Sequence, residues 1–279
     1  MIPPSINLIV YGFLTQSSIP QLFLAGLIPG LALAIGFMAI TVIICLIRPD
    51  LSGTRRTFPF PQMLRALVDL VPIMILFGMI VGSIYGGWAT PTEAAAVGVA
   101  GSLVIALVFG GVSWSMLTQS LTGTVKITSM IMLIVIGASF LNFTLASAGL
   151  GRELTEFMTG LGLTPLKTIL VVVVLYIVLG FFIETLSLIV VTIPIIVPLV
   201  VAQGYDVVWF GILMIVLIEM ALITPPVGLN LYVVQGARKS GSLNEVMLGA
   251  LPYCLTMLVM AFLLIAFPSI ALFLPNALQ

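Results

Sequence analysis

Seven apolar stretches, at roughly 20–47, 66–88, 91–111, 125–147, 165–203, 207–236 and 246–275, constrain this chain more than any other feature of it. At 1.5 Å per helical residue each is long enough to cross the ~30 Å hydrocarbon layer of a bilayer. Such stretches make the expected fold class an all-α polytopic membrane protein. Composition agrees: 6% of the residues are charged, where a soluble domain carries about 25%.

Several function classes drop out at this stage. A net charge of zero provides no basic face for nucleic acid. Histidine is absent, which removes the usual imidazole base and metal ligand. Cys45 and Cys254 lie inside apolar stretches, so neither a disulfide nor a thiolate metal site is expected. The start, Met1-Ile2-Pro3-Pro4, lacks the positive region of a signal peptide.

Charge in the linkers sets an orientation. The linker 48–65 holds Arg48, Arg55, Arg56 and Arg65, and by the positive-inside rule it is cytoplasmic. Counting crossings from there places the turn Ala89-Thr90-Pro91 and the loop 148–164 outside. The amphipathic stretch 112–126, an interfacial arm ending in Lys126, and the segment Ala237 to Glu245 fall inside. Thr90-Pro91-Thr92-Glu93 reads as a capping box with proline at the first helical position, giving Glu93 a structural role. The stretch 165–203 is too long for one helix and is either two spans or a re-entrant hairpin. Its midpoint, Gly180-Phe181-Phe182-Ile183-Glu184-Thr185, has no basic residue, and Pro194 and Pro198 weaken the returning helix. A buried hairpin tip is the expectation.

An ordered series near the start returns near the end. Pro3-Pro4-Ser5-Ile6-Asn7-Leu8, then Gly12, then Gly26-Leu27-Ile28-Pro29 corresponds to Pro225-Pro226-Val227-Gly228-Leu229-Asn230-Leu231, then Gly236, then Gly249-Ala250-Leu251-Pro252, at offsets of 222 to 224. Residues 20–47 end at the arginine linker and 246–275 begin beside Arg238-Lys239, so the copies cross the membrane in opposite senses. Inverted repeats of this kind are the architecture of many secondary transporters. The second copy is preceded by spans and a hairpin over 66–224 and the first by nothing, so the chain is expected to be an N-terminally truncated form of a longer protein. The domain layout expected is 1–47 as the end of a first repeat, 48–65 as a cytoplasmic linker, and 66–147 as scaffold-type spans. Residues 165–236 form the hairpin and second broken helix, and 243–279 the last span.

The double proline in Ile223-Thr224-Pro225-Pro226-Val227-Gly228 removes two backbone donors in the middle of an apolar stretch. Irregular backbone at that depth survives only when buried in protein or lining a cavity. Freed carbonyls, the Thr224 hydroxyl and a half-helix C-terminus suit a small cation such as Na⁺; the bland alternative is a proline kink. Glu184 and Glu219 lie deep in apolar sequence, where a charge costs at least ~2.5 kcal/mol. Glu184, beside Thr185, is the better candidate for shaping a site, whereas Glu219 either does the same or hydrogen-bonds between helices. Asn7 and Asn230, just after the breaks, either bind ligand or satisfy freed backbone groups.

Four stretches resemble the large membrane subunit (DctM-type) of TRAP transporters, the tripartite ATP-independent periplasmic family. They are Ile2-Pro3-Pro4-Ser5, Gly87-Trp88-Ala89-Thr90-Pro91-Thr92-Glu93-Ala94-Ala95-Ala96, Gly180-Phe181-Phe182-Ile183-Glu184-Thr185 and Leu222-Ile223-Thr224-Pro225-Pro226-Val227-Gly228-Leu229-Asn230-Leu231. The resemblance implies an elevator mechanism in which a transport domain of hairpins and broken helices slides against a scaffold. It also implies a coupling Na⁺ as the only ion and no other cofactor. The expected partners are a small four-helix membrane subunit and a periplasmic substrate-binding protein, and the expected cargo is organic acid anions such as C4-dicarboxylates. The expected location is the bacterial inner membrane. By this resemblance one Na⁺/substrate site draws on Gly180, Glu184, Thr185, Thr224, Pro225, Pro226, Gly228 and Asn230. A remnant of another draws on Pro3, Pro4, Ser5 and Asn7. Two competing readings are an intramembrane hydrolase using Glu184 and Glu219, which would not need an inverted repeat, and a purely structural membrane component, which a truncated chain would fit better than a full-length one.

Overall fold

The computed structural model describes residues 2–49, 59–109, 111–149, 164–225, 227–238 and 241–278, with residues 153, 156 and 160 between. Pro226, Arg55, Arg56, Lys239 and most of the loop 148–164, Arg152 included, lie outside the described residues. Among the described residues all regular structure is helical: α1 Ile6–Thr15, α2 Ile19–Ile47, α3 Phe60–Tyr85, α4 Pro91–Val108, α5 Trp114–Ser147, α6 Pro165–Gly180, α7 Thr185–Ala202, α8 Val207–Leu222, α9 Leu229–Arg238, α10 Leu243–Ala266 and α11 Ser269–Ala277. Six of these are long and apolar enough to cross a membrane. The chain divides into two compact units, residues 45–133 and the remainder.

In the smaller unit α3 and α4 form an antiparallel pair. A Cβ on Gly98 would meet Ile80, and one on Gly101 would meet Leu76, so the register falls along α3 as it rises along α4. The capping box starts α4: Thr90 Oγ1 accepts from the Glu93 N–H at 3.3 Å, and the Glu93 carboxylate accepts from the Thr90 N–H at 2.8 Å. The stretch 112–126 has no helix of its own, because α5 runs unbroken from Trp114 to Ser147. Its sequence contains no proline to stop it, so the amphipathic turns continue directly into the apolar ones.

The larger unit is organised around α8. Every side chain from Trp209 to Ile218 is buried, and the helix packs against α1, α6, α7, α10 and α11. Asp206 caps it, accepting from the Trp209 N–H at 2.9 Å. The apolar stretch 246–275 is two helices, α10 and α11, because Pro268 has no N–H for the Leu264 carbonyl. The indole N–H of Trp209 fills that vacancy at 2.8 Å.

α6 and α7 pair across the short turn Phe181 to Glu184. The buried hydrogen bond Tyr176–Thr192, 2.7 Å, joins one residue from each side of that turn, as an antiparallel helical hairpin requires. At 16 residues α6 is about 24 Å long, short of a full crossing.

The segments that follow the two double prolines share an outline. α1 and α9 are each 10 residues, each follows a double proline, and each leads to a long helix with an internal proline, Pro29 or Pro252. Those longer helices touch with opposite register: Gly36 meets Thr256, while Thr41 further along α2 hydrogen-bonds Tyr253 at 2.8 Å.

Candidate functional site

The second break begins where α8 runs out of donors. Pro225 has no N–H for the Ala221 carbonyl, which accepts instead from the Thr224 N–H at 3.2 Å, and the Ile223 N–H turns back to Met220 at 3.1 Å. The Thr224 hydroxyl donates to the Met220 carbonyl at 2.6 Å, and the Cys254 thiol donates to the Ile223 carbonyl at 3.3 Å. Gly228 ends the irregular stretch with φ +46°, a left-handed conformation. A Cβ there would also lie 3.0 Å from the Thr224 carbonyl oxygen and 2.8 Å from Leu231.

The hairpin tip is seated on this break. Gly180, the last residue of α6, is so close to Ala221 that a Cβ on it would be 2.6 Å from the alanine methyl. Close approach through small residues is how helices associate in lipid, where apolar burial against apolar tails gives little drive. The C-termini of α6 and α8 therefore converge. Each helix end carries carbonyls without intrahelical donors and about half a negative charge from the macrodipole.

Glu184 has a definite local task. It caps α7, accepting from the N–H groups of Leu186 at 3.0 Å and Ser187 at 3.1 Å and from the Ser187 hydroxyl at 3.3 Å. Its side of the turn is exposed, while the neighbouring Thr185 is buried.

The first break meets the second. Pro3 is buried, Pro4 exposed and Ser5 intermediate at the start of α1, and Ile2 packs on Gly30 of α2. Asn7 Nδ2 donates to Glu219 Oε1 at 3.0 Å. Further along, the Tyr11 hydroxyl donates to the Val207 carbonyl at 2.7 Å with its ring over Gly211, so α1 runs antiparallel to α8. Both double-proline segments consequently sit at the same end of α8.

Gly180, Thr224, Pro225 and Gly228 are thus gathered at the C-terminal end of α8, with the Glu184–Thr185 turn adjoining. Asn230 is exposed and lines a cavity of about 450 Å³ that Ile223 of the break shares with Arg238 and Tyr253. Sequence reasoning did not foresee Cys254, Ala221 or Tyr176. Ala221 had a usable signal, since a small residue one helical turn before a break permits close approach.

Over residues 1–270 the chain matches the family described as "Tripartite ATP-independent periplasmic transporter, DctM component". It is 34% identical, over 99% of its own length and 64% of the relative's, to a C4-dicarboxylate TRAP transporter large permease protein of Pseudomonas aeruginosa. The same figures hold for a sialic acid TRAP transporter large permease protein of Vibrio cholerae. It is 30% identical, over 98% of its length and 43% of the relative's, to an isethionate TRAP transporter permease protein of Oleidesulfovibrio alaskensis. The chain therefore spans a little under two thirds of the length of the first two. Relatives of this kind, together with six long apolar helices, are those of a multi-pass protein of the bacterial inner membrane.

Proposed function

The chain belongs to the DctM family of TRAP transporters, and from that premise we propose that it is the membrane-embedded translocating component of a sodium-coupled secondary transporter for small organic acid anions. The observation that carries the cation site is the convergence of the α6 and α8 C-termini, where Gly180 meets Ala221 just before the double proline. Two negative dipole ends, the freed carbonyls and the Thr224 hydroxyl make a hard-oxygen environment suited to Na⁺. The Glu184 turn and Gly228 frame it. The segment Pro3-Pro4-Ser5 with Asn7 is the pseudo-symmetric counterpart, and the opposed register of α2 and α10 supports an inverted repeat. An elevator movement of the hairpin and broken helices belongs to the same reading.

The cargo is an organic acid anion because the relatives' names specify C4-dicarboxylates, sialic acid and isethionate, which share a small anionic organic skeleton. Delivery by a periplasmic binding protein and pairing with a small four-helix membrane subunit complete the proposal. The intramembrane hydrolase is set aside: the family is one of transporters, Glu184 caps a helix and Glu219 is held by Asn7.

Uptake in proteoliposomes containing the chain, the small subunit and the binding protein tests this directly. Accumulation of a C4-dicarboxylate, sialate or isethionate is expected only with an inward Na⁺ gradient and only with the binding protein present. Uptake at the same rate in choline chloride would refute the sodium coupling. Uptake unaffected by omitting the binding protein would refute delivery.

A further inference from the structure

Glu219 lies on the most enclosed helix of the protein, and the proposed site does not use it. Its one direct partner among the described side chains is Asn7, from the other repeat copy, 212 residues away. The pair occupies a specific place. Asn7 follows Pro4 by three residues, and Glu219 precedes Thr224 by five, so the hydrogen bond joins residues close in sequence to each break.

Among the described residues, Asn7–Glu219 is the hydrogen bond between α1 and α8 that lies nearest the breaks. The other contact, Tyr11 with Val207 and Gly211, holds the far end of α1, two or more turns from the breaks. α1 also packs along α7, but a tie to α8 at Tyr11 alone leaves the double-proline end without a polar contact to α8. The Asn7 amide supplies that contact. A carboxylate is a suitable receiver here because a charge-assisted hydrogen bond is stronger and more directional than a neutral one.

We infer that Asn7 and Glu219 are positioning residues that hold the two double-proline segments at a fixed spacing, so that cation binding at one depends on the placement of the other. This rests on the sodium reading of the breaks given above. Glu219 acts through Asn7 and the backbone, not as a ligand, so exchanging donor and acceptor between the two positions preserves its role.

The test uses the full chain in lipid nanodiscs, with Tm measured across a series of NaCl concentrations at constant ionic strength with choline chloride. In the wild type NaCl raises Tm with a half-saturating concentration. Asn7→Ala and Glu219→Leu each raise that concentration by ~10-fold, in the range of ordinary coupling between sites, and the double variant adds little to either. The combination Asn7→Asp with Glu219→Gln, which moves the donor to the other partner, restores the wild-type concentration to within about twofold. A general packing defect would not recover in the exchanged pair. Additive effects of Asn7→Ala and Glu219→Leu, or failure of the exchange to restore sodium affinity, would overturn the inference. If the wild type shows no NaCl-dependent shift, the sodium reading falls. The tie then stands only if the exchange rescues the Tm lost in Asn7→Ala, and it falls too if it does not.

Discussion

Replacing Gly180 by alanine probes the contact that brings the hairpin to the break. A Cβ at Gly180 would lie 2.6 Å from the Ala221 methyl, whereas carbon atoms rest at about 3.5–4.0 Å. The end of α6 must therefore move off α8 by roughly 1 Å, or both helices must bend. Overpacking on this scale costs about 1–3 kcal/mol. At about 2–4 °C per kcal/mol for a chain of this size class, Tm falls by roughly 2–12 °C. Gly236→Ala is the matched control: it is helical, nothing lies within 4 Å of its Cβ, and the substitution should be neutral or stabilising by up to ~1 kcal/mol. Combining Gly180→Ala with Ala221→Gly returns the missing methyl's space and should recover most of the loss. Thermal unfolding in nanodiscs reads all three variants against the wild type. Equal Tm for Gly180→Ala and wild type, or no recovery in the double variant, would refute the close approach of hairpin and break.

Three further outcomes are expected. Gly228→Ala places a side chain at φ +46° against Leu231 and should lower Tm through a cost of about 1–2 kcal/mol, measured by the same unfolding assay. Glu184→Ala removes the α7 cap at about 0.5–2 kcal/mol; Glu184→Ser keeps a capping oxygen, so if capping is the residue's whole task, sodium-driven uptake survives in the serine variant and falls in the alanine one. Trp209→Phe leaves the Leu264 carbonyl without its donor in a buried place and should cost about 1–3 kcal/mol beyond any lost packing, which Trp209→Phe paired with Pro268→Ala partly offsets by supplying an N–H at position 268.

Helix existence was legible because it follows from hydropathy alone: every apolar stretch became helix. The breaks were equally legible, since a double proline removes donors wherever it falls. Helix ends inside apolar sequence were harder. The α10–α11 boundary depends on Pro268, which resembled the tolerated Pro29 and Pro252 until the indole of Trp209 was seen to complete the Leu264 carbonyl. The continuity of α5 was missed because amphipathic sequence and membrane sequence differ in partner, not in helix geometry. Within the site, Gly180 and Thr224 were legible as tip and break, but their meeting was not. That meeting depends on Ala221, whose only signal is its size. Asn230 was assigned by its repeat position, and the second copy turns it toward the α9–α10 cavity while Asn7 in the first turns toward Glu219.

The enclosure of α8 also bears on how the protein is made. Its partners α1, α6 and α7 are synthesised before it, but α10 and α11, and with them the Leu264 carbonyl that receives Trp209, emerge afterwards. A 16-residue helix of about 24 Å that is followed by a double proline makes a poor autonomous anchor. Until the last helices insert, α8 has one bare side and α1 awaits a partner 212 residues downstream. The core of the larger unit therefore closes only after α10 and α11 have been made, and the smaller helical pair α3–α4, whose contacts are local, is complete before it.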